Sequence, residues 1–174
     1  MIIDAATAFG SGEHGTTKGC LLLMEHLIDA GVQPQSILDL GTGSGILAIA
    51  ARLRWHVPVI AGDYDREALR VTHNHMQENA IPDTAITRVE SDGVRDEQIT
   101  RKGPYELITA NILAGPLKAM APDITGQLAG DGYLILSGIL NEQAEDVLKH
   151  YQACGLHEQE RQQLNGWTSF LLRS

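Results

Sequence analysis

The run from Ile37 to Ala51 reads ILDLGTGSGILAIAA, and it constrains the fold more than any other stretch of the chain. Ser36 to Leu40 has the short apolar character of a buried strand, and the glycines at 41, 43 and 45 make a tight turn. Ile46, Ile49, Ala50 and Leu53 then fall at helical spacing. Strand, turn and helix in this order form the repeating unit of a parallel α/β sheet, and the chain goes on repeating it. Strands are expected near 57–62, 85–90, 106–110 and 133–136. Asp65 is placed to cap the helix after the second. One helix is expected to carry Leu113, Leu117, Met120, Ala121, Ile124 and Leu128 on a single face. Another, capped by Asn141, turns Ala144, Val147, Leu148 and Tyr151 inward and stops at Gly155. Ahead of the sheet, Thr16 and Thr17 are expected to cap a helix bearing Cys20, Leu23, Met24, Leu27 and Ile28, with Gly31 at its end. Two last strands flank Asn165 and Gly166, a dipeptide suited to a tight hairpin, so at least one strand runs against the others.

With 174 residues, the chain has the length of one ordinary domain, and neither a repeat nor an interdomain linker interrupts it. The apolar share of 43% and charged share of 20% are those of a soluble globular protein. No run approaches the roughly 18 apolar residues of a membrane span, and the first residues lack the pattern of a secretory signal, so the cytoplasm is the expected compartment. A formal net charge of -9 speaks against an electrostatic grip on nucleic acid and favours a basic protein or a small molecule as partner. Cys20 and Cys154 read as buried, reduced thiols on the apolar sides of helices. The seven histidines offer no i, i+4 pair, so no metal is expected.

Ligands of an open α/β sheet gather beyond the carboxyl ends of its strands. After the first strand, glycines 41 and 43 let backbone approach a ligand, and the following helix offers N–H groups. Asp39 either accepts from a ligand's ammonium group or holds the loop together. Asp63 follows the second strand roughly twenty residues beyond Gly41, the separation at which nucleotide-binding folds place an acid on ribose hydroxyls; otherwise it is a solvated loop acid. Asp92, in Ser91-Asp92-Gly93, either accepts from an adenine amine or serves an ordinary turn. Asn111, after the fourth strand, either orients an amine at the reacting end of a ligand or caps the next helix. The glycine spacing is G-x-G-x-G rather than the G-x-G-x-x-G of dinucleotide enzymes, which makes a nicotinamide-dependent oxidoreductase the weaker reading.

Together these residues resemble the class I S-adenosylmethionine-dependent methyltransferases, and more narrowly the PrmA family, the ribosomal protein L-eleven methyltransferases. The narrower match lies in DAATAFGSGEHGTT from Asp4 to Thr17, in the Ile37 to Ala51 run and in ANILAGPL from Ala110 to Leu117, and it extends over essentially the whole chain. The resemblance implies a doubly wound α/β fold, a mostly parallel seven-stranded Rossmann-like sheet with an antiparallel last strand. It implies S-adenosylmethionine as cofactor, with Phe9, Gly10 and Ser11 over its methionine end and Asp39, Gly41 and Gly43 beside them. Asp63 then takes the ribose, Asp92 the adenine, and Asn111 the reaction centre as the catalytic residue. His14, Thr16 and Thr17 also match the family. Members carry an additional N-terminal domain that recognises the ribosomal protein, and the expectation is that residues 1–174 comprise only the catalytic domain.

The chemistry so implied is N-methylation of protein amines, in which proximity and alignment do most of the work and no His or Glu is placed as general base. The competing readings are a methyltransferase for another protein lysine or a small-molecule amine, and a silent S-adenosylmethionine-binding module.

Overall fold

A computed structural model describes residues 15–174. Its seven strands are β1 (Ile37–Leu40), β2 (Val59–Asp63), β3 (Ile86–Glu90), β4 (Tyr105–Asn111), β5 (Leu128–Leu140), β6 (His157–Leu164) and β7 (Trp167–Arg173), arranged in the order β3-β2-β1-β4-β5-β7-β6. Strands β1 to β5 pair in parallel. β7 runs antiparallel to both β5 and β6, so it lies between them. Every residue of β1 and β2 is buried, as expected of parallel strands covered on both faces.

The side-chain alternation of the strands feeds two cores. Leu38, Leu40, Ile60, Ile108, Leu134 and Leu136 face a layer made by α4 (Glu97–Thr100), α5 (Ala114–Ala119), α6 (Ala121–Gly126) and α7 (Ala144–Ala153). Ile37, Val59, Ala61, Leu107, Ile135 and Leu171 face α1 (Gly15–Asp29), α2 (Ile46–Trp55) and α3 (Arg66–Glu78). The strand order reverses direction at β1, where connections leave toward β2 on one side and β4 on the other, and this opens a crevice at the carboxyl ends.

Local chemistry explains most boundaries. Asp65 accepts from the Glu67 N–H at 2.8 Å and caps α3. Gly31 and Gly155 hold φ of +75° and +89° after α1 and α7, and the residue after each donates back to a carbonyl near the helix end. Asn165 (φ +52°) and Gly166 (φ +84°) form the hairpin turn between β6 and β7 with the two left-handed residues such a turn needs.

Five expectations need correction. Thr16 and Thr17 are buried inside the first turn of α1 rather than capping it. The helix expected over 113–128 is two short helices. Pro122 lacks the N–H that would carry the ladder through, Leu113 stays exposed, and Leu128 begins β5. Asn141 opens a 3-10 turn, and its Oδ1 accepts from the Thr168 hydroxyl at 2.8 Å, so the hairpin claims the side chain that was expected to cap α7. Leu53 points outward, because α2 is covered mainly by its alanine-rich face. Cys20 is buried, and burial pushes its thiol up to about 12, whereas Cys154 follows α7 only half-buried.

Candidate functional site

The carboxyl ends of β1, β2, β3 and β4 border one cavity of about 620 Å³, within the range of small-molecule sites. Its wall includes Leu40 and Gly41 at the end of β1, Asp63 and Tyr64 at the end of β2, and Ser91 to Arg95 after β3. Ile112, Leu113, Pro116, Ala119, Met120 and Asp123 close it from the β4 side. Gly41, Asp63 and Asp92 therefore meet around a common space. Gly43, Asp39 and Asn111 do not border it, although each adjoins a residue of the wall in sequence or through a hydrogen bond.

Gly41 adopts φ +68°, and a Cβ there would collide with the Ile112 Cγ2, so the loop lies directly against the Ile112 side chain. The Gly41 and Thr42 N–H groups both donate to the Gly62 carbonyl, at 2.8 and 3.0 Å, which ties the turn to the end of β2. Asp63 completes the tie. Its Oδ2 accepts from the Gly43 N–H at 2.9 Å and its Oδ1 from the Asp65 N–H at 3.0 Å. Each carboxylate oxygen can accept more than one bond, so both retain capacity toward a ligand hydroxyl.

Asp39 is bonded within the protein at both carboxylate oxygens. It is 1% exposed, its Oδ2 accepts from the Thr42 hydroxyl at 2.6 Å and the Ala48 N–H at 3.1 Å, and its Oδ1 accepts from the Thr109 hydroxyl at 2.6 Å. The side chain thus staples β1, the glycine turn, α2 and β4 together beneath the cavity. Burial raises its carboxyl above the ordinary carboxylate value. The bonds from Thr109, Thr42 and the Ala48 N–H oppose that rise, and the Asp63 charge adds to it. One of the first N–H groups of α2 is occupied in this way, which works against the pyrophosphate seat of a dinucleotide enzyme.

Asn111 ends β4, half-buried. Its Nδ2 lies 3.4 and 3.5 Å from the Thr16 and Thr17 hydroxyls, a long pair of bonds that turns the amide nitrogen toward α1. Beside it, Gly138 (φ +80°) sits in an irregularity of β5 and lets the Ile112 backbone come close. Asp92 is exposed at the cavity rim, and the Ser91 hydroxyl donates to the Gly93 carbonyl at 2.7 Å to set the turn that carries it. Phe9, Gly10, Ser11 and His14 lie outside the described residues.

Among the described residues the wall contains the acids Asp63, Asp92 and Asp123 and the single cation Arg95, which is itself paired with Asp123 at 3.3 Å. Such a lining suits a neutral or cationic ligand rather than a phosphorylated one. Sequence reasoning missed the apolar wall of Ile112 and Met120: Met120 reads as helix core, and Ile112 is given no role of its own. It also missed Thr72, His75 and Thr109, all buried. Polar residues beside Val71 and Met76 on the inward face of α3 were the available signal.

Along residues 1–174 the chain matches the family described as ribosomal protein L11 methyltransferase (PrmA). It belongs to that family. A ribosomal protein L11 methyltransferase of Bradyrhizobium diazoefficiens is 42% identical over 171 residues, covering 98% of this chain and 57% of the relative. The protein of that description in Rhizobium meliloti is 44% identical over 171 residues, covering 98% and 58%. The crystal structure of ribosomal protein L11 methylase from Lactobacillus delbrueckii subsp. bulgaricus shares the fold with a TM-score of 0.83 at 28% identity, covering 98% of this chain and 82% of that one. The chain therefore spans less than two thirds of the length of these curated PrmA relatives. Among the described residues no helix is long and apolar enough to cross a membrane.

Proposed function

We propose that this chain is the catalytic portion of an S-adenosylmethionine-dependent N-methyltransferase that acts on amines of ribosomal protein L11, chiefly lysines. What carries the reading is the convergence of Gly41, Asp63 and Asp92 on one acid-rimmed cavity, with Asn111 at the neighbouring strand end, in a member of the PrmA family. The cofactor's features match the residues present. In this reading Asp63 accepts from ribose hydroxyls and Asp92 from the exocyclic amine, and Ile112, Val94 and Met120 of the cavity wall offer an apolar bed for the flat base. On the family resemblance, Phe9, Gly10 and Ser11 complete the methionine end. The compartment is the cytoplasm, the partner is a basic ribosomal protein, and direct nucleic-acid contact is not part of the reading.

When bound, S-adenosylmethionine supplies a sulfonium-borne methyl group to an attacking neutral amine. The chain's own contribution is alignment. The Thr16 and Thr17 hydroxyls accept from the Asn111 amide nitrogen, and in this reading its amide oxygen accepts from the amine N–H. A lysine with a reference pKa of about 10.4 must arrive deprotonated, and an apolar entrance formed by residues such as exposed Leu113 disfavours its charged form. The acids Asp63 and Asp92 in the cavity wall favour a cationic ligand.

Calorimetry with S-adenosylmethionine and S-adenosylhomocysteine tests the cofactor, and the mass of ribosomal protein L11 after incubation with this chain and S-adenosylmethionine tests the acceptor. Binding followed by whole-methyl mass increments is the expected result. Absence of affinity for either compound would overturn the proposal.

A further inference from the structure

We propose that Thr72 and His75 of α3 are positioning residues for the cofactor, acting by holding the glycine loop from behind. This rests on the methyltransferase reading above. The Thr72 hydroxyl donates to the Gly43 carbonyl at 3.0 Å, and the His75 Nδ1 lies 2.7 Å from the Ser44 carbonyl. Both side chains are almost fully buried, at 0% and 2% exposure. They bond successive carbonyls of a loop that has φ of +53° at Gly43 and +80° at Gly45, a shape that intrinsic preference does not fix. The packing is equally close, since a Cβ on Gly45 would come within 2.6 Å of the Thr72 Cγ2. Gly43 is thereby gripped at both ends of its residue, its N–H by Asp63 and its C=O by Thr72. All three grips come from the continuous segment β2–α3, so the acid assigned to the ribose and the loop beside the methionine end keep a fixed separation. A carbonyl oxygen only accepts, so His75 carries a proton on Nδ1, and a neutral imidazole here is the Nδ1–H tautomer.

The test compares T72V, which keeps the shape and removes the donor, with T72S, which keeps the donor, and H75L with the wild type. T72V and H75L are expected to raise Kd for S-adenosylmethionine and S-adenosylhomocysteine about tenfold, or about 1.4 kcal/mol. KM for the cofactor should rise in parallel while kcat at saturation stays within about twofold, the pattern of lost uniform binding. T72S should return Kd to within about threefold of wild type, a difference well under about 1 kcal/mol. Nitrogen NMR should find the His75 proton on Nδ1. Wild-type affinity in T72V, equal weakening in T72S, a fall in kcat with unchanged KM, or a bare Nδ1 would each overturn the assignment. If the wild type binds and T72V binds equally, only the positioning role falls. If the wild type binds neither compound, the methyltransferase reading falls with it. Thermal midpoints of each variant separate a loop effect from a folding defect.

Discussion

Replacing Gly138 by alanine should damage both stability and ligand binding, and a second glycine supplies the control. Gly138 and Gly155 have nearly the same backbone, φ +80° and +89°, so an alanine at either pays the left-handed penalty of about 1–2 kcal/mol. They differ in surroundings. A Cβ on Gly155 meets nothing within 4 Å, whereas on Gly138 it collides with the Ile112 carbonyl oxygen and comes within 2.8 Å of its carbon and 3.1 Å of its nitrogen. These are backbone atoms of the cavity wall, so relief requires the end of β4 to move away from β5. Overpacking of that kind adds about 1–3 kcal/mol, bringing G138A to about 2–5 kcal/mol in total. With a urea m-value of about 2 kcal/mol/M, the midpoint should fall by about 0.5–1 M for G155A and by about 1–2.5 M for G138A. Trp55 and Trp167 provide the fluorescence signal. Because Ile112 lines the cavity, G138A should also weaken S-adenosylhomocysteine binding in calorimetry while G155A leaves it unchanged. Equal midpoints for the two variants, or wild-type affinity in folded G138A, would refute the close approach of β5 to the wall.

Asp39→Asn can keep its contacts, with the amide oxygen toward Thr42 and Ala48 and the amide nitrogen donating to the Thr109 hydroxyl, while losing the buried charge. Burial raises Asp39 in the folded chain, so the folded state binds that proton more tightly and this group costs stability as pH rises from the ordinary value of 3.8 through the raised one. The urea midpoint of D39N minus that of wild type should therefore increase between about pH 4 and pH 7; a decrease would contradict the direction of the shift. Asp63→Asn removes a charge that faces the cavity and accepts from Gly43, and cofactor affinity should fall about 10- to 100-fold by calorimetry, the loss expected for a charged hydrogen bond. Asn165→Ala places an unsuited residue at φ +52° in the hairpin and should cost about 1 kcal/mol in urea unfolding, with Asn165→Gly restoring it.

The sequence disclosed those parts of the fold whose signals are local. The glycine turn, the Asp65 cap, the Gly31 and Gly155 stops and the Asn165-Gly166 hairpin each rest on residues whose conformational needs are met within a few positions, and each stands where it was expected. The failures came where distant partners competed. Asn141 has the chemistry of a cap, but Thr168 across the sheet takes its oxygen. Apolar spacing through Leu113 to Leu128 fits one helix, yet Leu113 turns to solvent at the cavity and Leu128 joins a strand. The site divided in the same manner. Gly41, Asp63 and Asp92 could be found because strand ends are where ligands collect. The choice between ligand and staple for Asp39 depended on Thr109, far away in the chain and adjacent only once β1 and β4 pair.

The position of β7 governs when this sheet can close. This strand follows β6 in sequence but sits between β5 and β6. As synthesis proceeds, β5 emerges with one side bonded to β4, while its other side has no mate until Trp167–Arg173 follow. That side carries Ile135, Leu136 and Ile139, an adhesive edge for any neighbouring nascent chain. Strands β1 to β4 can dock early, but this half of the sheet is sealed only when the β6–β7 hairpin folds back, so the risk of aggregation persists until Trp167–Arg173 have emerged.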